Sequence, residues 1–449
     1  MLENIDGKSD GSFRECSTYY PKVLVISHNV FSKNTPMGKT LDTFFHGWDK
    51  KNIIQIFFHS EVPTSDVCTM YYRFTDVDAL KAIIFRMHQG EYMSSEDLKL
   101  SRDTAVNTQK LTKIYNFGRK RLTMTYVLRD ALWSMTAWRS KSFMKWLNDF
   151  NPEIIFFASS DYGFSYKIAL SLANILKIPL ITCCFDDYYL FNKNEKSYIG
   201  RLRHKYFRRV VKATMKRSSY VVTVNDSMSK VYTELFQKEC PVLYTATYIR
   251  NQQTNNIRRG ISYLGGLGLK RYEQLIDIGL TLKNMTSDEI PKFIDVYSGE
   301  TDSTILKKMT LENGINFHGN VSQSEVAKII ARSMAVIHTE SFDNEIKQRV
   351  MYSLSTKIPD SLASGACLLA YGPAEIASID YLLKNDVAFV ATNKDELKEK
   401  IEIIFTSEEE RLRITNNAKK LAQNNHDSNT IPEHLREILI NAIMQWRKL

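Results

Sequence analysis

"STKIPDSLASGACLLAYGP", residues 355–373, is the stretch on which the reading of the fold turns. Ser355 and Thr356 can offer backbone and hydroxyl donors to a phosphate, and Lys357 adds a point charge. Asp360 falls in the first turn of a short apolar helix that ends at Gly365, and a strand, 367–370, follows. A carboxylate so placed can accept two hydrogen bonds from ribose hydroxyls. Taken alone, Asp360 is equally an acid favoured by a helix N-terminus, worth about 0.3–1 kcal/mol.

The segments before this stretch repeat one theme. "YLGGLGLKR", residues 263–271, runs from a strand into a glycine-rich turn. Gly265, Gly266 and Gly268 are expected to supply positive φ and close backbone approach, with Lys270 and Arg271 opening the next helix. Two cations there suit a diphosphate, and arginine offers a bidentate fork. "YSGE" (297–300) brings Ser298 and Gly299. "FHGNVSQSEV" (317–326) brings His318 and Gly319. "HTESF" (338–342) ends a strand and carries Glu340. Candidate strands at 261–264, 293–297, 315–317, 335–338, 367–370 and 388–390 alternate with helical patterns. That alternation marks a parallel sheet with helices on both faces, which binds ligands at the carboxyl ends of its strands.

The first half shows the same alternation, with strands at 23–27, 53–58, 154–158, 180–184 and 220–224. The stretch 81–148 is long, helix-rich and basic, and reads as an insertion. "NTPMGKT", residues 34–40, ends like a phosphate-binding P-loop and opens a helix with Leu41, Phe44, Phe45 and Trp48 on one face. The full motif needs glycine where Lys33 stands, and Pro36 removes a backbone donor. The stretch therefore reads as a ligand-facing loop at a cleft, with Asn34 and Gly38 in it, or as a plain connection. "SSDYGFS" (159–165), with Asp161 and Tyr162, and "CCFDDYY" (183–189) also follow strands. Asp186 and Asp187 are candidates to orient a substrate hydroxyl or stabilise developing positive charge. The alternative is a pair that holds Tyr188 and nearby amides.

The 449 residues exceed one core, and a net charge of +10 is concentrated between 193 and 217. That segment holds ten basic residues against Glu195, and interleaves them with Leu202, Tyr206, Phe207, Val210 and Val211. It reads as a basic amphipathic helix, either solvated on its own domain or meeting anionic lipid or a lipid-diphosphate substrate. Nucleic acid is disfavoured because stacking platforms and RNA-binding signatures are missing. No apolar run spans a membrane and no signal core opens the chain, so cytoplasmic residence is expected. Neither the cysteines nor the histidines have metal-site spacing, so no metal or cofactor is expected. The expected division is a flexible tail at 1–19, an N-terminal acceptor-binding domain at 20–248, a polar linker, a donor-binding domain at 257–425 and a C-terminal helix at 431–449.

The order of motifs in the second half, best over 260–400, resembles the donor-binding domain of retaining GT-B glycosyltransferases of bacterial polysaccharide assembly. The first half is similar to their acceptor domain more loosely. The resemblance implies an α/β fold of two doubly wound Rossmann-like domains facing across a cleft, with the C-terminal helix returning to the N-terminal domain. It implies that Glu340 touches the donor sugar, Asp360 the ribose, Lys270 and Arg271 the diphosphate, and the loop after His318-Gly319 the nucleobase. The family's E-x7-E spacing is absent: Glu340 and Asp360 are separated by residues 341–359, and the second acid is Asp. The implied function is a metal-independent hexosyltransferase. It would use a UDP- or GDP-sugar and a carbohydrate acceptor, expected to be lipid-linked, on the inner face of the membrane. A homo-oligomer or transferase complex, a non-catalytic partner subunit, and a sugar-nucleotide epimerase or hydrolase of the same fold stay open.

Overall fold

The computed structural model describes residues 19–33, 35–85, 90–95, 123–135, 138–191, 197–249 and 258–448. Asn34, residues 1–18 of the expected tail and nearly all of the linker lie outside them.

The first sheet has seven strands: β1 (Val23–Ser27), β2 (Ile53–Phe57), β3 (Met70–Arg73), β4 (Glu91–Ser94), β5 (Ile154–Ala158), β6 (Leu180–Cys184) and β7 (Tyr220–Thr223). Their order is β4-β3-β2-β1-β5-β6-β7. All pairs are parallel except β3–β4. Central strands read as continuous apolar runs because both faces are covered, and β1, β2, β5 and β6 are buried throughout. Their helices are α1 (Pro36–Phe44), α2 (Asp76–Phe85), α3 (Thr123–Met135), α4 (Lys141–Phe150), α5 (Gly163–Leu176), α6 (Tyr198–Arg217) and α7 (Asp226–Phe236).

The second sheet has six strands, β8 (Ile261–Leu264), β9 (Ile294–Tyr297), β10 (Ile315–Gly319), β11 (Ala335–Thr339), β12 (Cys367–Tyr371) and β13 (Phe389–Ala391), ordered β10-β9-β8-β11-β12-β13 and all parallel. Its helices are α8 (Arg271–Asn284), α9 (Ser303–Leu306), α10 (Gln323–Arg332), α11 (Asn344–Val350), α12 (Ile358–Ala363), α13 (Ala377–Asn385), α14 (Lys394–Thr406) and α15 (Glu408–His426). The doubly wound expectation therefore stands for both halves. The order reverses between β8 and β11 in the second sheet, and the crevice beyond those strand ends is where such sheets take ligands.

Of the helix-rich stretch expected at 81–148, residues 86–89, 96–122 and 136–137 lie outside the described residues, and the rest holds helices α3 and α4 and one strand that the sequence did not show. Strand β4 lies inside it and closes the edge of the first sheet, with Tyr71 opposite Met93. The sequence hid β4 because only Met93 of its four residues is buried, so it lacks the apolar alternation of a core strand.

The last helix, α16 (Ile431–Arg447), returns to the N-terminal domain. Ile431, Leu435, Ile438, Leu439, Ala442 and Ile443 join the core built by Val23, Phe44, Trp48 and Ile154. The chain thus crosses between the domains twice, and the crossings bond to each other. Thr247 N–H donates to the His426 carbonyl at 2.7 Å, and Ser428 N–H donates to the Thr247 carbonyl at 3.0 Å. His426 is fully buried at this junction, with Nδ1 2.8 Å from the Thr245 carbonyl and Nε2 2.9 Å from the Tyr381 hydroxyl.

Candidate functional site

The carboxyl ends of β8 and β11 and the start of α12 enclose a polar pocket lined by Tyr263, Arg271, His338, Thr339, Ser355 and Lys357. Lys357 keeps an exposed stem while its ammonium is tucked against the Gly265 backbone, where any Cβ would collide with it. The Tyr263 ring lies 5.9 Å away. Burial of the ammonium, with Arg271 adding repulsion, lowers the Lys357 pKa to about 8, and Glu340 opposes part of that shift. Arg271 donates from Nη2 to both Glu340 carboxylate oxygens at 3.2 Å, and from Nε to the Thr339 carbonyl at 3.2 Å. Glu340 is only 2 % exposed. Burial alone would raise its pKa, but His338 and Arg271 outweigh it and hold the carboxyl below the usual range.

One sequence expectation needs correction here, the positive φ of the turn glycines, and Lys270 and Asp360 have partners that the sequence did not show. The left-handed residues of the turn are Leu269 (φ 57°) and Lys270 (φ 55°), and its glycines are not among the residues with positive φ. Gly265 matters for the close approach of Lys357, while a Cβ on Gly266 or Gly268 would meet nothing within 4 Å. Two consecutive non-glycine residues in that region store backbone strain, each about 1–3 kcal/mol. Lys270 does not join Arg271: its ammonium is exposed and lies 2.6 Å from Asp343, which caps α11. Asp360 faces the other domain. It accepts from the Thr247 hydroxyl, and its Oδ2 lies 3.6 Å from Lys39 Nζ.

The remaining donor-side candidates follow the same sheet edge. Ser298 N–H donates to the Gly319 carbonyl at 2.8 Å, and among the described residues the buried Ser298 hydroxyl has no partner, nor has that of Thr339. Gly299 lies close to Asn320. Gly319, at φ 76°, needs the freedom of glycine. The His318 ring stacks on Tyr297 at 4.5 Å and its Nε2 is 2.7 Å from Asp295. Ser355 N–H donates to the Ser378 hydroxyl at 3.3 Å, and Thr356 is exposed next to it.

On the opposite side, "PMGKT" owes its glycine to packing: a Cβ on Gly38 would lie 2.5 Å from Ser32 Cβ and 2.7 Å from the Val30 carbonyl. Lys39 is the residue that reaches the other domain, at Asp360. Asp161 accepts from the Tyr126 hydroxyl at 2.6 Å, the Arg129 guanidinium lies over the Tyr162 ring at 4.0 Å, and the His28 ring sits 4.5 Å from Tyr162 in a tilted arrangement. The paired aspartates diverge. Asp187 is buried, and its Oδ1 accepts from the Tyr189 and Leu190 amides at 3.0 and 2.8 Å and from the Tyr232 hydroxyl at 2.7 Å. These bonds match the amide-holding alternative. Asp186 accepts from Ser353 of the donor domain at 2.7 Å. The sequence reading passed over His28, His59 and Glu61, although the same strand-end rule that singled out Asp161 applies to them.

Helix α6 is the basic amphipathic helix expected within 193–217, of which 193–196 lie outside the described residues. Arg203 turns inward, donating to the Asp161 carbonyl at 3.1 Å and packing on Tyr126 at 4.2 Å. Arg208 covers the Tyr189 ring at 4.6 Å and Arg217 the Trp446 ring at 4.4 Å. The solvent-facing cations are Arg201, Lys205, Arg209, Lys212 and Lys216. Tyr198, Ile199 and Leu202 on the first turns are exposed, as are Met124, Leu128 and Met135 on α3.

Residues 295–437 match the "Glycosyl transferase-like" family model. Among solved structures, HepE from Anabaena, determined in complex with UDP, is 14% identical with a TM-score of 0.60 over 94% of this chain and 100% of that one. The trehalose 6-phosphate synthase of Burkholderia multivorans is 10% identical with a TM-score of 0.59, covering 95% and 98%. WaaG, a glycosyltransferase involved in lipopolysaccharide biosynthesis, is 11% identical with a TM-score of 0.55, covering 93% and 99%. No curated protein matches. The chain therefore has the GT-B fold, and its residues 295–437 carry the glycosyl transferase-like family signature.

Proposed function

We propose that the protein is a glycosyltransferase that moves a hexosyl group from a nucleoside-diphosphate sugar, UDP- or GDP-linked, to a carbohydrate acceptor. The observation that carries the reading is the Lys357 ammonium seated against Gly265, in one pocket with Arg271 at the carboxyl ends of β8 and β11. A cation held against a glycine backbone lets a highly charged diphosphate approach the strand end closely. Anabaena HepE, determined with UDP and with UDP-glucose, supports the donor class. In transfer, the bond from the sugar's anomeric carbon to the diphosphate oxygen breaks and one to the acceptor oxygen forms. The acceptor's proton passes to the departing phosphate when both lie on the same face of the sugar, which gives retention. Lys357 and Arg271 would stabilise the charge developing on the diphosphate without a divalent metal. Asp186, with one oxygen on Ser353 of the facing domain, is placed to help align the two substrates.

The acceptor is assigned as a lipid-linked glycan of surface polysaccharide synthesis, met at the inner face of the membrane. Support comes from the exposed cations of α6 beside the apolar side chains of α3, and from the involvement of the structurally similar WaaG in lipopolysaccharide biosynthesis. Residence is accordingly cytoplasmic and peripheral. A reading as a non-catalytic partner subunit is favoured by one observation, the capture of both Glu340 oxygens by Arg271. A nucleotide-sugar panel, scored by release of nucleoside diphosphate with and without a membrane extract as acceptor, separates the two. Transfer to lipid-extractable material supports the enzyme, donor binding without turnover supports the subunit, and turnover without acceptor indicates a hydrolase or epimerase.

A further inference from the structure

The loop that joins α11 to α12, residues 351–357, delivers Lys357 to the pocket, and it is held from both domains. On the donor side, the Ala377 amide donates to the Met351 carbonyl at 2.8 Å. The buried Ser378 hydroxyl donates to the Ser353 carbonyl at 2.9 Å and accepts from the Ser355 amide at 3.3 Å. Leu354 joins a core of that domain with Val350 and Ile358. From the other side, the Tyr352 ring packs against the N-terminal core that includes Met228 and Tyr232. The Ser353 hydroxyl donates to Asp186 at 2.7 Å. Residues 353–355 belong to no helix or strand, so their course depends on these ties.

One further tie comes from Asn225, which stands between β7 and α7 and is 1 % exposed. Its Oδ1 accepts from the Met228 amide at 2.9 Å and so caps α7. A backbone amide can only donate, which fixes the oxygen there and leaves the NH2 for the Tyr352 carbonyl, 2.8 Å away. A cap needs only an oxygen, and Ser or Asp would supply one equally well. The nitrogen is therefore the part of Asn225 that its own helix does not use. It reaches across to the donor domain, and a buried group deprived of such a partner shifts or stays unsatisfied at a cost.

We propose that Asn225 is a positioning residue of the donor site: by holding the Tyr352 carbonyl it sets the course of residues 353–357, and so the place where the Lys357 ammonium meets a diphosphate. The inference rests on the glycosyltransferase reading. It adds that the N-terminal domain shapes the nucleotide pocket through a residue that does not touch the nucleotide.

The test uses the full chain and Asn225→Ser, which keeps a capping oxygen and loses the NH2. Calorimetric titration of UDP and GDP reads the site. Competitive acetylation of the Lys357 amine as a function of pH, followed by mass spectrometry, reads the ammonium without any nucleotide. In the wild type that amine should titrate at about 8. In Asn225→Ser its titration should move up toward the ordinary lysine value as the ammonium leaves its buried seat, and nucleotide affinity should fall about three- to tenfold, as for one lost hydrogen bond. Either readout unchanged in the variant would overturn the proposal, since a lower melting temperature alone is what a helix cap without a second role would give. Should Asn225→Ser fail to fold, Asn225→Asp decides by the same readouts, because it keeps the cap and sets an oxygen against the Tyr352 carbonyl. If the wild type binds neither nucleotide, the donor reading fails, and the Lys357 titration alone decides whether Asn225 positions that ammonium.

Discussion

Lys357 illustrates how one side chain ties the fold to the chemistry. Its ammonium lies where a Cβ on residue 265 would stand, and as the end of a flexible side chain it can move aside, so Gly265→Ala should weaken nucleoside-diphosphate binding less than Lys357→Ala does. For Lys357→Ala the expected loss is about 1.5–3 kcal/mol, that of a charge-assisted hydrogen bond. Because its pKa is lowered to about 8, donor affinity should fall as pH rises through that value, when the cation is lost. Fold stability should move the other way. Between about 8 and the ordinary lysine value the unfolded chain binds more protons, so stability rises with pH there. Isothermal titration at pH 7 and pH 9 checks the first sign, and flat affinity would remove Lys357 from the site. Asp187 shows the limit of reading residues singly. The sequence offers two adjacent acids, but only packing reveals that Oδ1 of Asp187 holds the Tyr189 and Leu190 amides and Tyr232. Asp187→Asn should therefore lower the melting temperature more than it affects donor affinity.

Elements were legible where burial is symmetric. The runs "VLVIS", "IIFFA" and "LITCC" are buried on both faces and name themselves as strands. Strand β4 and the turn at Leu269-Lys270 were not legible, because an edge strand lacks the pattern and left-handed non-glycine residues contradict local propensity. Helix α6 falls between these cases. Its amphipathic character was plain, but not which cations are internal. Arg201, Lys205, Arg209 and Lys212 face solvent, and each is worth about 1 kcal/mol near an anionic bilayer within a Debye length. Changing these four to Gln should abolish salt-sensitive binding to vesicles containing anionic lipid while the fold is retained. Changing Arg203 and Arg208, which cover Tyr126 and Tyr189, should destabilise the domain instead. Wild-type protein that ignores such vesicles at low salt would return α6 to a solvated helix or a protein-docking face.

Across the molecule, the two crossings between the domains share one junction, and His426 is buried in it. Its pKa is lowered to about 4, chiefly by burial. Between that value and the ordinary 6.5 the unfolded chain binds more protons, so stability is full above pH 6.5 and lost as pH falls toward 4. The effect amounts to ~3 kcal/mol at most. Urea midpoints should drop across this window, and His426→Gln should flatten that part of the profile. Beside the junction, Asp360 bonds Thr247 and approaches Lys39, so a nucleotide ribose at Asp360 would have to displace a tie between the domains. That tie was invisible in the sequence, because it joins residues far apart in the chain. The central claim is that the pocket holding Arg271 and Lys357 takes a nucleoside diphosphate. Calorimetric titration of UDP and GDP into the wild type and into Lys357→Ala, in EDTA at pH 7, tests it most directly. The account predicts metal-free binding of one of the two nucleotides by the wild type and a loss of roughly tenfold or more in the variant. Binding that requires manganese or magnesium, or equal affinity in wild type and variant, would contradict it.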